Sequence, residues 1–219
     1  HSYGILLTIL LAHGQKCQTQ HLSGLNKQTH HQYGLKVITQ TNKFKADGGL
    51  RMNHNTDMNL GLKNIWTIEC FDSDGNIKWG ETKKNLVVTE GLNHILSSTF
   101  DGGTQITTWY VGLKSSGSVS AADTMSSHAG WTEPVPYSQS VRQTLTLGTA
   151  ASGSIDNTAS KATFSINATA TIEGAFITSD NTKSGTSGTL YGVVDFSSAR
   201  SVISGDTLEI TVTLTAAST

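Results

Sequence analysis

Strict alternation of apolar and polar residues is the feature that most limits the folds open to this chain. In the C-terminal stretch "DTLEITVTLT", Leu208, Ile210, Val212 and Leu214 alternate with Glu209 and with threonines. Successive side chains of a strand point to opposite sides, so a period of two predicts a strand with one buried and one solvent-facing side. The abundant threonine suits the pleated surface of a sheet.

The same alternation continues through the middle of the chain, in "KATFSINATATIEGAFITS". Every second position there is taken by an apolar or small residue: Phe164, Ile166, Ala168, Ala170, Ile172, Gly174 and Phe176. A strand usually has about 5–6 residues, so one register over this length predicts a bend or bulge near Ala168 to Ala170, where the side chains are small.

A hairpin and one helix are predicted between Leu62 and Gly103. The segments "LKNIWTIECF" and "IKWGETKKN" flank "DSDGN", so Asp72 to Asn76 is expected to close a β-hairpin. In "TEGLNHILSSTFDGG", Thr89 is predicted to cap the helix and Gly102-Gly103 to end it. The apolar stripe of Leu92, Ile95 and Leu96 has the i, i+3, i+4 spacing of a helix.

Further strands are predicted in "ITTWYVGLK", "SQSVRQTLTL" and "GTLYGVVDF", separated by loops of small residues. Only 14% of the residues are charged, and glycine is frequent. These features predict an all-β fold, an antiparallel β-sandwich of the jelly-roll type with one short helix.

Charge divides the chain into two parts near Met52. Up to Arg51 there are six Lys and Arg against a single Asp, and after it nine against fifteen Asp and Glu. Because residues 1–51 show no sustained period, we expect a largely unstructured or non-native leader followed by a sandwich domain over 52–219. The alternative is a flexible basic arm that reaches a neighbouring subunit or nucleic acid.

The sequence gives no clear indication of a disulfide bond or of a membrane-spanning segment. Cys17 and Cys70 are expected to be free thiols, and Cys70, in "IWTIECF", is expected to be a small buried residue. No apolar run reaches the about 18–20 residues that a membrane span needs, and "GILLTILLA" lacks the basic residues that precede a signal-peptide core. We therefore predict no membrane partner.

No motif for catalysis or cofactor binding is present in the sequence. GxSxG, HExxH, CxxC and P-loop patterns are absent. "DSDGN" begins like a calcium loop, but Gly75 is fourth rather than sixth and Lys83 stands where the bidentate Glu belongs. His94 and His128 lack companion ligands, so no catalytic, cofactor or metal site is predicted.

Two tryptophan-containing stretches are candidate contact surfaces. Trp109, Val111 and Leu113 share one strand face, which assigns Trp109 to the core and leaves Tyr110 and Trp131 as candidates for contact. Nucleic acid is not expected as a partner, because phosphate binding needs a cationic footprint and residues 52–219 are acidic.

Five stretches after Met52 carry a family resemblance: "NLVVTEGLNHIL", "TTWYVGLKSSG", "AADTMSSHAGWTE", "GTSGTLYGVVDF" and "SGDTLEITVTLT". Taken in order, they resemble small structural proteins of tailed bacteriophages that act as capsid cement or decoration proteins. The resemblance implies a β-sandwich that forms homotrimers, binds the major capsid protein and stabilises the shell. It implies a virion protein assembled in the host bacterial cytoplasm, with no active site.

The loop from Ser115 to Tyr137 is the expected place of contact with a partner. Trp131 can supply a buried anchor, and proline fixes the shape of a loop. The candidate interface residues are Met125, His128, Trp131, Pro134, Pro136 and Tyr137. The competing interpretation is that Trp131 closes one end of its own sandwich.

Two other functions stay open at the level of sequence. A tail or head-fibre adhesin that recognises a host surface glycan would present aromatic and polar loop residues at one end of a trimer. A polysaccharide-cleaving enzyme would need two carboxylates facing one cleft, whereas the acidic residues here are scattered through turns.

Overall fold

A computed structural model describes residues 60–218, and the side chains of 61–217. The predicted leader, residues 1–51, lies outside this part of the chain. Within residues 60–218, no helix combines the length and the apolar character that crossing a bilayer requires.

Ten strands and one helix make up this part of the chain. The helix, α1, spans Thr89–Phe100. The strands are β1 (Leu60–Phe71), β2 (Ile77–Lys84), β3 (Leu86–Val87), β4 (Tyr110–Lys114), β5 (Gln143–Thr144), β6 (Ser154–Asp156), β7 (Ala162–Ser165), β8 (Ala170–Thr178), β9 (Leu190–Val202) and β10 (Thr207–Ser218).

The strands form two antiparallel sheets. In the first sheet the order is β2-β1-β10, and β6 and β7 both pair with the far edge of β10. In the second sheet the order is β3-β9-β8-β4-β5. Two packed antiparallel sheets confirm the predicted all-β sandwich.

The core lies between the inner faces of the two sheets. The alternation in β10 is observed as predicted, since Leu208, Ile210 and Val212 are fully buried. Each such side chain contributes about 1.5–3 kcal/mol through its removal from water. The other fully buried apolar residues of this core include Trp66, Ile68, Cys70, Val111, Leu113, Phe164, Ile172, Ala175, Val194 and Val202.

The long apolar alternation of residues 164–176 changes sheets at its centre. β7 ends at Ser165 in the first sheet, and β8 begins at Ala170 in the second. The predicted bend at Ala168 to Ala170 is therefore a strand break at which the chain crosses the core. The N–H of Ile166 donates to the carbonyl of Asp206, which ties the crossing to the start of β10.

The hairpin between β1 and β2 is confirmed. An Asp72 carboxylate oxygen accepts hydrogen bonds from the backbone N–H groups of Asp74 and Asn76, at 2.9 and 2.8 Å. Gly75 adopts the positive φ of +83° that the turn requires.

The predicted N-cap of α1 was wrong by one residue. Val88 occupies the N-cap position and no side chain caps the helix, while Thr89 is the first helical residue. The N–H of Thr89 donates to the carbonyl of Ala121 instead. A backbone carbonyl of the loop after β4 thus supplies a partner for one N–H group at the start of the helix.

Candidate functional site

The loop from Ser115 to Tyr137 covers the outer face of the second sheet. Trp131 is 3% exposed, and its ring lies 5.2 Å from that of Phe176 on β8. A second buried cluster results, separate from the core between the sheets, and it contains Val88, Met125, Trp131, Phe176, Leu190 and Val193. The second sheet is therefore dry on both faces around β8 and β9.

Polar contacts within the loop fix the position of Trp131. Its indole Nε1–H donates to the Asp123 carboxylate at 2.9 Å, and the same oxygen accepts the N–H of Ser120 at 3.0 Å. The His128 ring stacks on the indole at 4.1 Å with an interplanar angle of 23°. The N–H and the ring of the indole thus have partners inside the chain.

A buried ion pair connects the loop to the rest of the second sheet. The Glu133 carboxylate accepts hydrogen bonds from Nε and Nη2 of Arg142, and these side chains are 4% and 1% exposed. Arg142 also donates to the carbonyls of Asp180 and Gly185 and lies 5.1 Å from the Phe176 ring centroid. One guanidinium therefore holds three chain segments together.

Tyr137 ends the loop inside the sandwich. Its ring packs edge-on against Phe164 at 4.9 Å, and the ammonium of Lys183 lies 4.0 Å from the ring centroid. Burial raises the pKa of the Tyr137 hydroxyl above its ordinary value, with a smaller contribution from Glu133. The phenol is accordingly neutral at physiological pH.

The six predicted interface residues fall into two groups. Met125, Trp131, Pro136 and Tyr137 are buried in their own chain, whereas His128 and Pro134 are partly exposed. Trp131 packs within its own chain, but on the outer face of the second sheet and not at the end of the sandwich as the competing interpretation expected. The role of the six residues in an interface stays a prediction, and the buried four would act on it by shaping the loop.

A cleft of about 270 Å³ lies beneath this loop. Its walls include Met125, His128, Trp131, Glu133 and Arg142. The two charged side chains bind each other, and the arginine donors are shared with backbone carbonyls. Because these charges already have partners, we interpret the residues that line the cleft as contacts that support the loop.

The helix α1 exposes two of the three apolar residues whose spacing predicted it, together with Phe100. Leu92, Leu96 and Phe100 are 38%, 56% and 80% exposed, while Ile95 packs against the core. Gly91 approaches β9 so closely that an added Cβ would lie 2.3 Å from the Tyr191 carbonyl oxygen. This contact turns the side of the helix that carries Gly91 and Ile95 inward.

We call Leu92, Leu96 and Phe100 the apolar ridge. At about 100° per residue, positions four and eight apart lie on one side of a helix, so these side chains form a row. The sequence analysis missed Phe100, although its spacing from Leu92 and Leu96 could have indicated it. The ridge is the largest aromatic and aliphatic feature that α1 presents to solvent.

Within residues 60–218, neither a metal-binding cluster nor an accessible thiol is present. That part of the chain contains no cluster of three His, Cys, Asp or Glu side chains able to hold a metal ion. Cys70 is fully buried, as predicted, and burial together with the nearby Asp206 carboxylate raises its pKa to about 11. A protonated, inaccessible thiol is not a nucleophile.

Comparison with known proteins adds no family assignment. No protein-family model matches the chain, and no curated protein matches it significantly.

Proposed function

We propose that this protein is a non-enzymatic structural component of a phage virion that binds and stabilises the capsid shell as a cement or decoration protein. The setting comes from the sequence resemblance described above. The observation that carries the binding role is the apolar ridge on α1, supported by a rigid sandwich. The expected partners are the major capsid protein and further copies of the chain, as a homotrimer.

The ridge supports a role in protein association. Apolar side chains grouped on a surface mark interaction sites more often than single exposed ones do, and aromatic anchors supply much of the energy of interfaces. Phe100 is 80% exposed at the end of the helix, and Leu96 precedes it by one turn. Burying both would remove a row of apolar surface from water.

The contacts that hold the domain together support a structural rather than a catalytic role. The longest loop of the sandwich, 115–137, is held by the buried Glu133–Arg142 pair and by the Trp131–Asp123 hydrogen bond. A subunit that stabilises a shell benefits from fixed contact surfaces, because less conformational entropy is lost on assembly.

The test is the native mass of the purified full chain, followed by co-sedimentation with expanded, undecorated shells of tailed phages. We expect a trimer that binds expanded shells. The variant Leu96→Ser/Phe100→Ser should shift the native mass to the monomer and weaken shell binding at least about tenfold, since two anchors are lost.

The matched control is Asn93→Ser/Thr99→Ser, which changes two exposed residues of the same helix outside the ridge. It should assemble like the wild type. A wild-type chain that stays monomeric at micromolar concentration would contradict the proposal. A trimer that ignores shells and binds bacterial cells would instead favour the glycan-binding adhesin.

A further inference from the structure

A second cleft, of about 250 Å³, lies between α1 and the end of the sandwich. Its walls come from α1, from the segment 105–109, from the residues that follow β5, and from β8, β9 and β10. Aliphatic side chains dominate the lining and include Ile95, Ile106, Leu145, Leu147, Ile177 and Leu214. The cleft shares no lining residue with the apolar ridge.

The first turn of α1 is anchored on β9, and the cleft lies beside the later turns. The Glu90 carboxylate accepts the N–H of Leu190 at 2.7 Å, and Gly91 touches the backbone at Tyr191. These contacts hold the first turn of the helix directly on β9. In the following turns His94 and Ser98 line the cleft.

Aromatic rings form one wall of the cleft. Trp109 meets Tyr191 edge-to-face at 5.7 Å, and His94 meets Trp109 in the same manner at 5.5 Å. Aromatic pairs prefer edge-to-face or offset arrangements at about 4.5–7 Å. A guest ring in the cleft would lie beside these three rings, within reach of the same kind of aromatic contact.

Polar groups on the wall are few, and none is a carboxylate, an ammonium or a guanidinium group. They include the His94 imidazole, the Gln105 amide and the Ser98 hydroxyl, which donates to the carbonyl of Ile95. Among the described residues, no Asp, Glu, Lys or Arg lines the cleft. A neutral ligand with one hydrogen-bonding substituent therefore matches this lining better than an ion does.

We propose that this cleft is a binding site for a neutral molecule with a single aromatic ring and one hydroxyl or amino substituent. The size agrees, because an apolar cavity of about 150 Å³ holds benzene. A cleft of about 250 Å³ has room for a ring and its substituent, with His94 or Gln105 as the hydrogen-bond partner. The site is independent of the capsid-binding proposal.

Phenol is the probe, and saturation-transfer NMR with isothermal titration calorimetry on the full chain is the measurement. We expect a dissociation constant of about 1 mM or tighter, as is usual for well-placed ligands of this size. Cyclohexanol lacks the aromatic ring and benzoate carries a charge, so each should bind at least about tenfold more weakly. Equal binding of all three, or no binding of phenol, would overturn the proposal.

Two variants place the binding in the cleft. Ser98→Leu fills it from the helix side and should weaken phenol binding at least about tenfold, while Thr99→Leu, at an exposed neighbouring position, should bind as the wild type does. Ile106→Trp fills the cleft from the opposite wall and replaces Ser98→Leu if that variant fails to fold. A folded filling variant that binds phenol like the wild type would show that the site lies elsewhere.

Discussion

The Arg142 guanidinium and the Glu133 carboxylate form a bidentate pair in which both side chains are almost fully buried. The pair lies under the loop that covers the second sheet. Burying two opposite charges costs desolvation energy, which their attraction offsets only when both are present and well hydrogen-bonded. This pair is therefore a contact of the covering loop that is costly to break from one side.

Arg142→Met should lower the free energy of unfolding by about 3–5 kcal/mol, because it leaves the Glu133 carboxylate buried without its partner. The double variant with Glu133→Gln should recover part of this loss, since no unpaired charge remains. Urea denaturation measures both. Lys161→Met is the control, because Lys161 and its two carboxylate partners, Glu69 and Glu209, are 32%, 31% and 28% exposed, and it should cost only about 1 kcal/mol. A double variant less stable than Arg142→Met would contradict the interpretation.

Gly112→Ala should destabilise the domain by about 1–3 kcal/mol through overpacking, because the new methyl group would lie 2.3 Å from an atom of the Phe176 ring. Phe176→Leu in the same chain should relieve the clash and restore part of the stability. Gly148→Ala serves as the control, since its nearest contact is at an ordinary 3.5 Å. Thermal unfolding compares the variants, and equal losses at Gly112 and Gly148 would refute the clash.

Glu81 should make stability depend on pH. Burial alone would raise the pKa of its carboxyl group, but hydrogen bonds from Ser197 and Arg200 hold that pKa below the ordinary 4.5. A carboxyl group with a depressed folded-state pKa stabilises the fold above its unfolded pKa, and this contribution is lost as pH falls through the folded value.

The wild type should therefore exceed Glu81→Gln in unfolding free energy by about 1–2 kcal/mol at neutral pH. The difference should shrink as the pH is lowered from about 4.5 through the folded-state pKa. Urea titrations over this range give the comparison. A difference that stays constant with pH would mean that the charge of Glu81 is not involved.

Cys70 should be unreactive in the folded protein. Its thiol is fully buried, so a reagent cannot reach it in the folded state. Its pKa is raised to about 11, so little thiolate forms near neutral pH. In a Cys17→Ser background, a soluble disulfide reagent should modify Cys70 at least about 100-fold more slowly than it does in urea. Comparable rates in the two conditions would show that the core around β1 opens readily.

The strands were largely predictable because alternation reports which side chains are buried. It does not report the sheet to which a strand belongs. Residues 164–176 show one unbroken period of two, yet β7 and β8 lie in different sheets. Small residues near Ala168 correctly indicated where the regularity fails, but the crossing between sheets depends on long-range pairing with β10 and β9.

The surroundings of the loop and helix were less predictable, for a similar reason. Glu133 and Arg142 are nine residues apart and meet only because β4, β5 and β8 bring their segments together. The orientation of α1 is decided by the close approach of Gly91 to Tyr191, which outweighs the apolar stripe of Leu92, Ile95 and Leu96. Local sequence patterns do not contain these distant contacts.

The covering of one sheet gives the domain a front and a back. The outer side of the second sheet is sealed by the loop, whereas the outer side of the first sheet carries the threonines of β10, among them Thr211 and Thr213, in half-exposed positions. A copy of the domain that is turned over presents a different surface. A layer of copies in one orientation would therefore have two chemically different sides. One side would carry threonine hydroxyl groups and the other would carry the fixed loop.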